Sequence, residues 1–199
     1  TLVDTGGAGG RAFSRALEEV VGVRDGLNGV RLDGQTDFCI LETALLQAGL
    51  AYPLAEELSE RLYQRYVELL ESELELSRSE YRVLKGVPEL LTALEGRPGY
   101  LLGLATGNLE QGAWAKLVPG DLNRYFRLGG FGSDSADRSE LILKAVERSR
   151  LHLNGEDLTS FIVIGDTPHD ITHGRKAGAS VIAVATGSYS PDELKIHEP

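Results

Sequence analysis

The rhythm of apolar positions along the chain changes near residue 80. Upstream of that point the spacing is helical: Ala12, Phe13, Ala16, Leu17, Val20 and Val21 step by i, i+3 and i+4, which predicts an amphipathic helix. Phe38, Ile40, Leu41, Ala44 and Leu45 repeat the pattern after Thr36 and Asp37, two residues suited to an N-cap. Leu54 to Leu76, rich in Leu, Glu and Tyr, predicts one long helix or two. No strand pattern interrupts these segments, so residues 8–80 read as an all-α block.

Gly86-Val87-Pro88 opens a different regime. Three short apolar runs follow: Leu101 to Ala105 ending in Thr106-Gly107-Asn108, Phe161 to Ile164 ending in Gly165-Asp166, and Val181 to Ala185 ending in Thr186-Gly187-Ser188. Helical patterns lie between them at Leu109 to Val118, Glu140 to Arg150 and Ile171 to Ala179, and Phe126 to Phe131 predicts a short edge strand. Such alternation builds βαβ units and a parallel, doubly wound sheet. The unbroken apolar run Phe161 to Ile164 predicts a strand covered on both faces. The expected fold is therefore α/β, a Rossmann-like core of residues 1–7 and 81–199 with residues 8–80 inserted as a helical subdomain.

Composition narrows the partners. The formal net charge is −10 and the isoelectric point about 4.9, which speaks against nucleic-acid binding through a basic face. No apolar run approaches 18 residues and no charged-then-apolar leader opens the chain, so a membrane span or export is not expected and a cytoplasmic location is. One cysteine, Cys39, reads as a small core residue. Methionine is absent and the chain opens on Thr1, which reads as a trimmed piece of a longer protein lacking its first strand. Oligomeric state is not legible.

The polar residues at the strand ends carry the candidate chemistry. Asp166 and Asp170 stand four apart at the carboxyl end of a strand, where ligands sit in open α/β sheets, and two carboxylates there suit a divalent cation such as Mg²⁺. The plainer reading is a turn residue and a first-turn helix acid. Thr106, Gly107 and Asn108 offer a hydroxyl, an unhindered amide and a carboxamide that suit a phosphoryl oxygen, or else Thr106 caps the next helix. Arg138 is expected in a loop, either steadying anionic charge or paired with Asp134 or Asp137; Lys116 and Lys144 compete but fall inside expected helices. Asn108 and Arg11 are substrate contacts by position alone. His169 and His173 lack a third ligand and read as surface residues. Gly6 to Gly10 lacks a phosphate-loop pattern and reads as a hinge, and the triplet Asp4-Thr5-Gly6, without a second copy, is set aside as a protease motif.

Taken together, these elements resemble the haloacid dehalogenase superfamily, in its phosphoglycolate-phosphatase-like branch with a helical cap. Thr1-Leu2-Val3-Asp4-Thr5 is similar to the end of the family's first motif, Thr106 to the second, Arg138 to the third, and Asp166 with Asp170 to the fourth; Gly34-Gln35-Thr36-Asp37 and Gly86-Val87-Pro88 also resemble segments of this branch. The resemblance implies a Mg²⁺-dependent phosphomonoester hydrolase acting on a small phosphorylated metabolite. In it, an aspartate upstream of Thr1 attacks phosphorus to give an aspartyl-phosphate that water hydrolyses. Thr106, Gly107 and Asn108 bind the phosphoryl group, Arg138 steadies its charge in place of the family's usual Lys, and Asp166 and Asp170 hold the metal. Both aspartates of the first motif are absent from this sequence. The alternatives left open are a haloacid dehalogenase, a phosphoglucomutase of the same superfamily, and a catalytically incomplete phosphate-binding module.

Overall fold

The computed structural model describes residues 2–32, 34–154 and 158–199. Thr1, the start of the first-motif match, lies outside them. Strand β1 (Val3–Asp4) pairs antiparallel with β2 (Arg82–Val83), Val3 opposite Val83. This two-residue pair, where the sequence suggests no opening strand, brings both ends of the helical block together.

Three helices form the block: α1 (Ala8–Val21), α2 (Asp37–Gln47) and α3 (Glu56–Leu76). The segment from Leu54 thus yields a single helix. Their apolar faces meet in one cluster that includes Ala12, Phe13, Leu17, Leu41, Leu45, Leu62, Tyr66 and Leu70, with Phe13 and Tyr66 edge to face at 4.9 Å. Each such side chain contributes roughly 1.5–3 kcal/mol by leaving water. On the outer side, Glu73 of α3 accepts from Arg11 Nε and Arg15 Nη1, both at 2.9 Å. The expected hinge at Gly6 to Gly10 is a correction: Gly6 and Gly7 make a left-handed turn, and Ala8, Gly9 and Gly10 are already the first turn of α1.

The remainder alternates strands with helices α4 (Val87–Leu94), α5 (Glu110–Leu117), α6 (Arg138–His152), α7 (Pro168–Lys176) and α8 (Pro191–Lys195). Strand β3 (Leu104–Thr106) runs parallel to β4 (Gly129–Phe131), and β5 (Ile162–Gly165) parallel to β6 (Ser180–Ala183). These pairs are separate two-stranded sheets. A second apolar cluster gathers Val87, Leu91, Leu104, Leu117, Tyr125, Phe126 and Phe131. Helix α6 packs on β3 and β4 and touches α7. Gly130 permits that approach, because a Cβ there would overlap the carbonyl oxygen of Leu141.

Two expectations shift. The β3 strand begins at Leu104 rather than Leu101, and a Cβ on Gly103 would stand 3.0 Å from Leu128 Cδ1. Strand β5 is not covered on both faces: Val163 lies against Gly174 of α7, whereas Ile162 and Ile164 are 57% and 39% exposed. Successive residues of a strand point to opposite faces, and α7 covers only one of them. No described helix is long and apolar enough to cross a membrane.

Candidate active site

The carboxyl end of β5 delivers Asp166, and the next turn starts α7. Thr167 is the N-cap: its hydroxyl accepts from the Asp170 amide at 3.2 Å and donates to Asp170 Oδ2 at 2.9 Å. The amides of Asp166 and Thr167 donate to that same oxygen at 3.1 and 3.0 Å. The other oxygen, Oδ1, accepts from Arg138 Nη2 at 2.6 Å. The plain reading of Asp170 as a first-turn acid is what the structure shows, and the same side chain also holds Arg138. Asp166 and Asp170 are both only 9% exposed, and the Asp166 carboxylate lies against Gly187, where a Cβ would collide with it.

Arg138 is not a loop residue. It is the first residue of α6, behind the N-cap Asp137, and its partner is neither Asp134 nor Asp137. Asp134 is claimed by Arg148 at 2.8 Å, and Asp137 by Lys176 at 2.8 Å and by the Ser139 amide. That leaves Arg138, with 17% of its side chain exposed, as the cation beside the carboxylate pair. The histidines are half-buried rather than simply on the surface. Their rings stack at 6.0 Å, and His173 Nδ1 shares a 2.9 Å hydrogen bond with Ser139 Oγ. Burial, and next the charge of Arg138, lower the pKa of His169.

A second group forms at the end of β3. The Asn108 amide donates to Thr106 Oγ1 at 3.2 Å, so the Thr106 hydroxyl closes its own turn instead of capping α5, whose N-cap is Leu109. Asp37 of α2 reaches across from the helical block. Its Oδ2 accepts from the Leu109 amide at 2.8 Å, its Oδ1 from Asn108 Nδ2 at 3.3 Å, and its own amide donates to the Gly107 carbonyl at 2.8 Å. Lys116 Nζ donates to Asn108 Oδ1 at 2.9 Å. Asp37 is 3% exposed. Burial raises its pKa against the opposing charge of Lys116, while burial lowers that of Lys116 against the charge of Asp37.

The predicted residues thus fall into two hydrogen-bonded groups, Arg138–Asp170–Asp166 and Thr106–Gly107–Asn108. Segment 34–37 touches the second group and, beside the first, His169: a Cβ on Gly34 would press on His169, and one on Gly107 would meet the Gln35 carbonyl oxygen at 2.5 Å. Arg11 is bound to Glu73, Ser77 and the Gly6 carbonyl. Asp37 and Lys116 are the residues the sequence undervalues. Thr36 and Asp37 both suit an N-cap, yet only Thr36 serves as one, accepting from Cys39, which frees the Asp37 carboxylate for another task.

The donor chemistry suits Mg²⁺ rather than a soft metal. Among the described residues no three His, Cys, Asp or Glu gather as a metal-holding group. Asp166 offers a hard oxygen at the strand end, while both oxygens of Asp170 are already taken. A cation that keeps waters and accepts substrate oxygens fits such a sparse set.

Comparisons with known proteins bear on the family and the fold. A family model described as haloacid dehalogenase-like hydrolase matches residues 42–184. A protein named probable phosphatase IndB, from Dickeya dadantii, is 31% identical over 203 residues, covering 100% of this chain and 83% of its own length. A protein named 5'-nucleotidase, from Pseudomonas aeruginosa, is 34% identical over 122 residues, 60% of this chain and 53% of that protein. The crystal structure of a hydrolase from Pseudomonas syringae superposes with a TM-score of 0.65 at 20% identity, covering 99% of this chain and 86% of that one, a likeness of fold.

Proposed function

The chain belongs to the haloacid dehalogenase-like hydrolases, and on that premise we propose a Mg²⁺-dependent phosphomonoesterase acting on a small phosphorylated metabolite. The names of the two relatives, a probable phosphatase and a 5'-nucleotidase, support phosphate-ester hydrolysis. One observation carries the reading most directly. A guanidinium and two carboxylates, drawn from positions 138, 166 and 170, converge at the carboxyl end of a parallel strand pair with Arg138 only 2.6 Å from Asp170.

In this reading the attacking carboxylate comes from a strand upstream of Thr1 lying between β3 and β5, each of which has one edge without a strand partner among the described residues. The carboxylate displaces the leaving alcohol at phosphorus, and water then hydrolyses the aspartyl-phosphate. Thr106 and the Gly107 amide hold phosphoryl oxygens, in a turn that Asn108 completes. Asp166 would hold Mg²⁺ directly, with Asp170 fixing the turn behind it. The bound ion would offset the mutual repulsion of nucleophile and phosphate. Arg138 steadies the anionic group while pinned by Asp170. Residues 8–80 act as a cap that excludes water and selects the substrate.

The test uses the intact protein. Phosphomonoester hydrolysis that requires Mg²⁺ is expected to fall by at least about 100-fold in Asp166→Asn, consistent with loss of a charge-stabilising group. Full activity in that variant, or equal rates with and without Mg²⁺, would sink the reading.

A further inference from the structure

The group formed by Asp37, Asn108 and Lys116 is more elaborate than either helix needs. Helix α2 is already capped by Thr36, and α5 is an eight-residue helix that ordinary caps would serve. Instead a carboxylate from the helical block is buried against the N-terminus of α5, and a lysine from inside α5 turns back to its own entry loop. Buried ionic groups rarely add net stability over apolar side chains of similar volume. Their placement here, one bond from the Thr106–Gly107 turn, calls for another account.

Every polar atom in the chain of contacts has a fixed direction. Lys116 Nζ donates a hydrogen bond to Asn108 Oδ1, which orients the carboxamide so that Nδ2 faces Asp37; Asp37 accepts the Leu109 amide with its other oxygen. Asp37 also fixes the Gly107 carbonyl through its backbone amide. The Lys116 ammonium lies against Gly9 in the first turn of α1, where a Cβ would stand 3.2 Å from Nζ. Residues from α1, α2, α5 and the Thr106 loop thus meet at one point, and Asn108 has both ends of its carboxamide engaged.

We infer that Asp37, Asn108 and Lys116 are positioning residues that clamp the second helix of the cap onto the Thr106–Gly107 turn, giving that turn its anion-receiving shape only while the cap is seated. Asn108 in this account does not touch substrate; it transmits the position of Asp37 and Lys116 to Gly107. The inference rests on the proposed reading of Thr106 and Gly107 as phosphoryl-binding.

The polarity of the network supplies its own rescue. In Asp37→Asn a donor faces the donor of Asn108, and in Asn108→Asp two carboxylates face each other. In the double variant D37N/N108D every hydrogen bond is restored. The carboxamide then at position 37 accepts from the Leu109 amide through its oxygen and donates through its nitrogen to the carboxylate at position 108. The second oxygen of that carboxylate accepts from Lys116. In the intact protein, with para-nitrophenyl phosphate and Mg²⁺, each single variant and Lys116→Met is expected to lose on the order of 10- to 100-fold in kcat with a smaller change in KM. The double variant should recover to within a few-fold of wild type. Inorganic phosphate binding, followed by calorimetry without turnover, should fall and recover in the same order. Amide exchange at Leu109 should quicken in Asp37→Asn and slow again in the double variant.

Single variants that lower only the melting temperature, with kcat and phosphate binding intact, would overturn the clamp. So would a double variant no better than the worse single one. Should Asp37→Asn fail to fold, Lys116→Met, which keeps the packed stem, carries the same comparison. A wild type that turns over no phosphomonoester, yet binds phosphate in the order just given, would refute the phosphatase reading and leave the clamp standing.

Discussion

Two glycines at the residue scale separate sites where a side chain is merely unwelcome from sites where it is excluded. A Cβ on Gly107 would meet the Gln35 carbonyl oxygen at 2.5 Å and Thr36 Cα at 2.8 Å. Both are backbone atoms, so relief requires segment 34–37 to lift and the bond from the Asp37 amide to Gly107 to break. At Gly103 the nearest atom is the end of a leucine side chain at 3.0 Å, which can rotate away. Gly107→Ala should therefore destabilise by about 1–3 kcal/mol through overpacking, and Gly103→Ala by under about 1 kcal/mol. Urea denaturation of the two variants measures the difference. Equal losses would mean that segment 34–37 yields as easily as a leucine.

At the scale of elements, α6 and α7 are tied at their ends by charge and hydrogen bonding as well as packing. Asp137 caps α6 through the Ser139 amide at 2.8 Å and binds Lys176 of α7 at 2.8 Å. The Lys176 hydrogen bond, with the Ser139 amide second, holds the Asp137 carboxyl down at about 2. A folded pKa below the unfolded value, about 3.9 for Asp, gives stability that is present above about pH 4 and lost as pH falls through about 2. The melting temperature of the wild type should exceed that of Asp137→Asn above about pH 4, and the gap should close by about pH 2. A constant gap would assign the difference to packing. Much of this region is legible in the sequence: the apolar run into Gly165-Asp166 and the Pro168 after Thr167 mark strand, turn and helix start within a few residues. Local chemistry suffices there. The pairing of Arg138 with Asp170, 32 residues on, is a different matter. The sequence reads Arg138 as a loop residue because the helical pattern starts at Glu140, and Asp134 and Asp137 stand nearer in sequence as partners. The uniformly apolar composition of β5 suggests cover on both faces, yet composition does not say which neighbour covers which face. Lys116 escapes the sequence because position inside a helix says nothing about a side chain long enough to reach back eight residues to Asn108.

For the whole molecule, the question is whether its two apolar clusters melt together. The helical block and the α/β part are linked by only two short chain passages near β1 and β2, a layout that permits independent unfolding. What opposes it is packing across the boundary. Leu109, at the N-cap of α5, is 6% exposed and belongs to the cluster of α1, α2 and α3, while Gly112 of α5 lies beneath Tyr66 of α3. Tyr81, the first residue past the block, packs against the same cluster while its Oη donates to the Lys116 carbonyl at 3.0 Å. Leu109 is thus a side chain of the α/β part serving as core for the helical block. Truncation to alanine removes a buried side chain from the helical cluster at the boundary, at about 2–5 kcal/mol. Wild type should melt in a single transition with equal calorimetric and van't Hoff enthalpies. Leu109→Ala should melt earlier, with a calorimetric enthalpy exceeding the van't Hoff value as the cap loosens first. A transition displaced but still two-state would mean that Tyr66 over Gly112 and the Asp37 contacts hold the halves together without Leu109, and that the cap cannot open by melting at this seam.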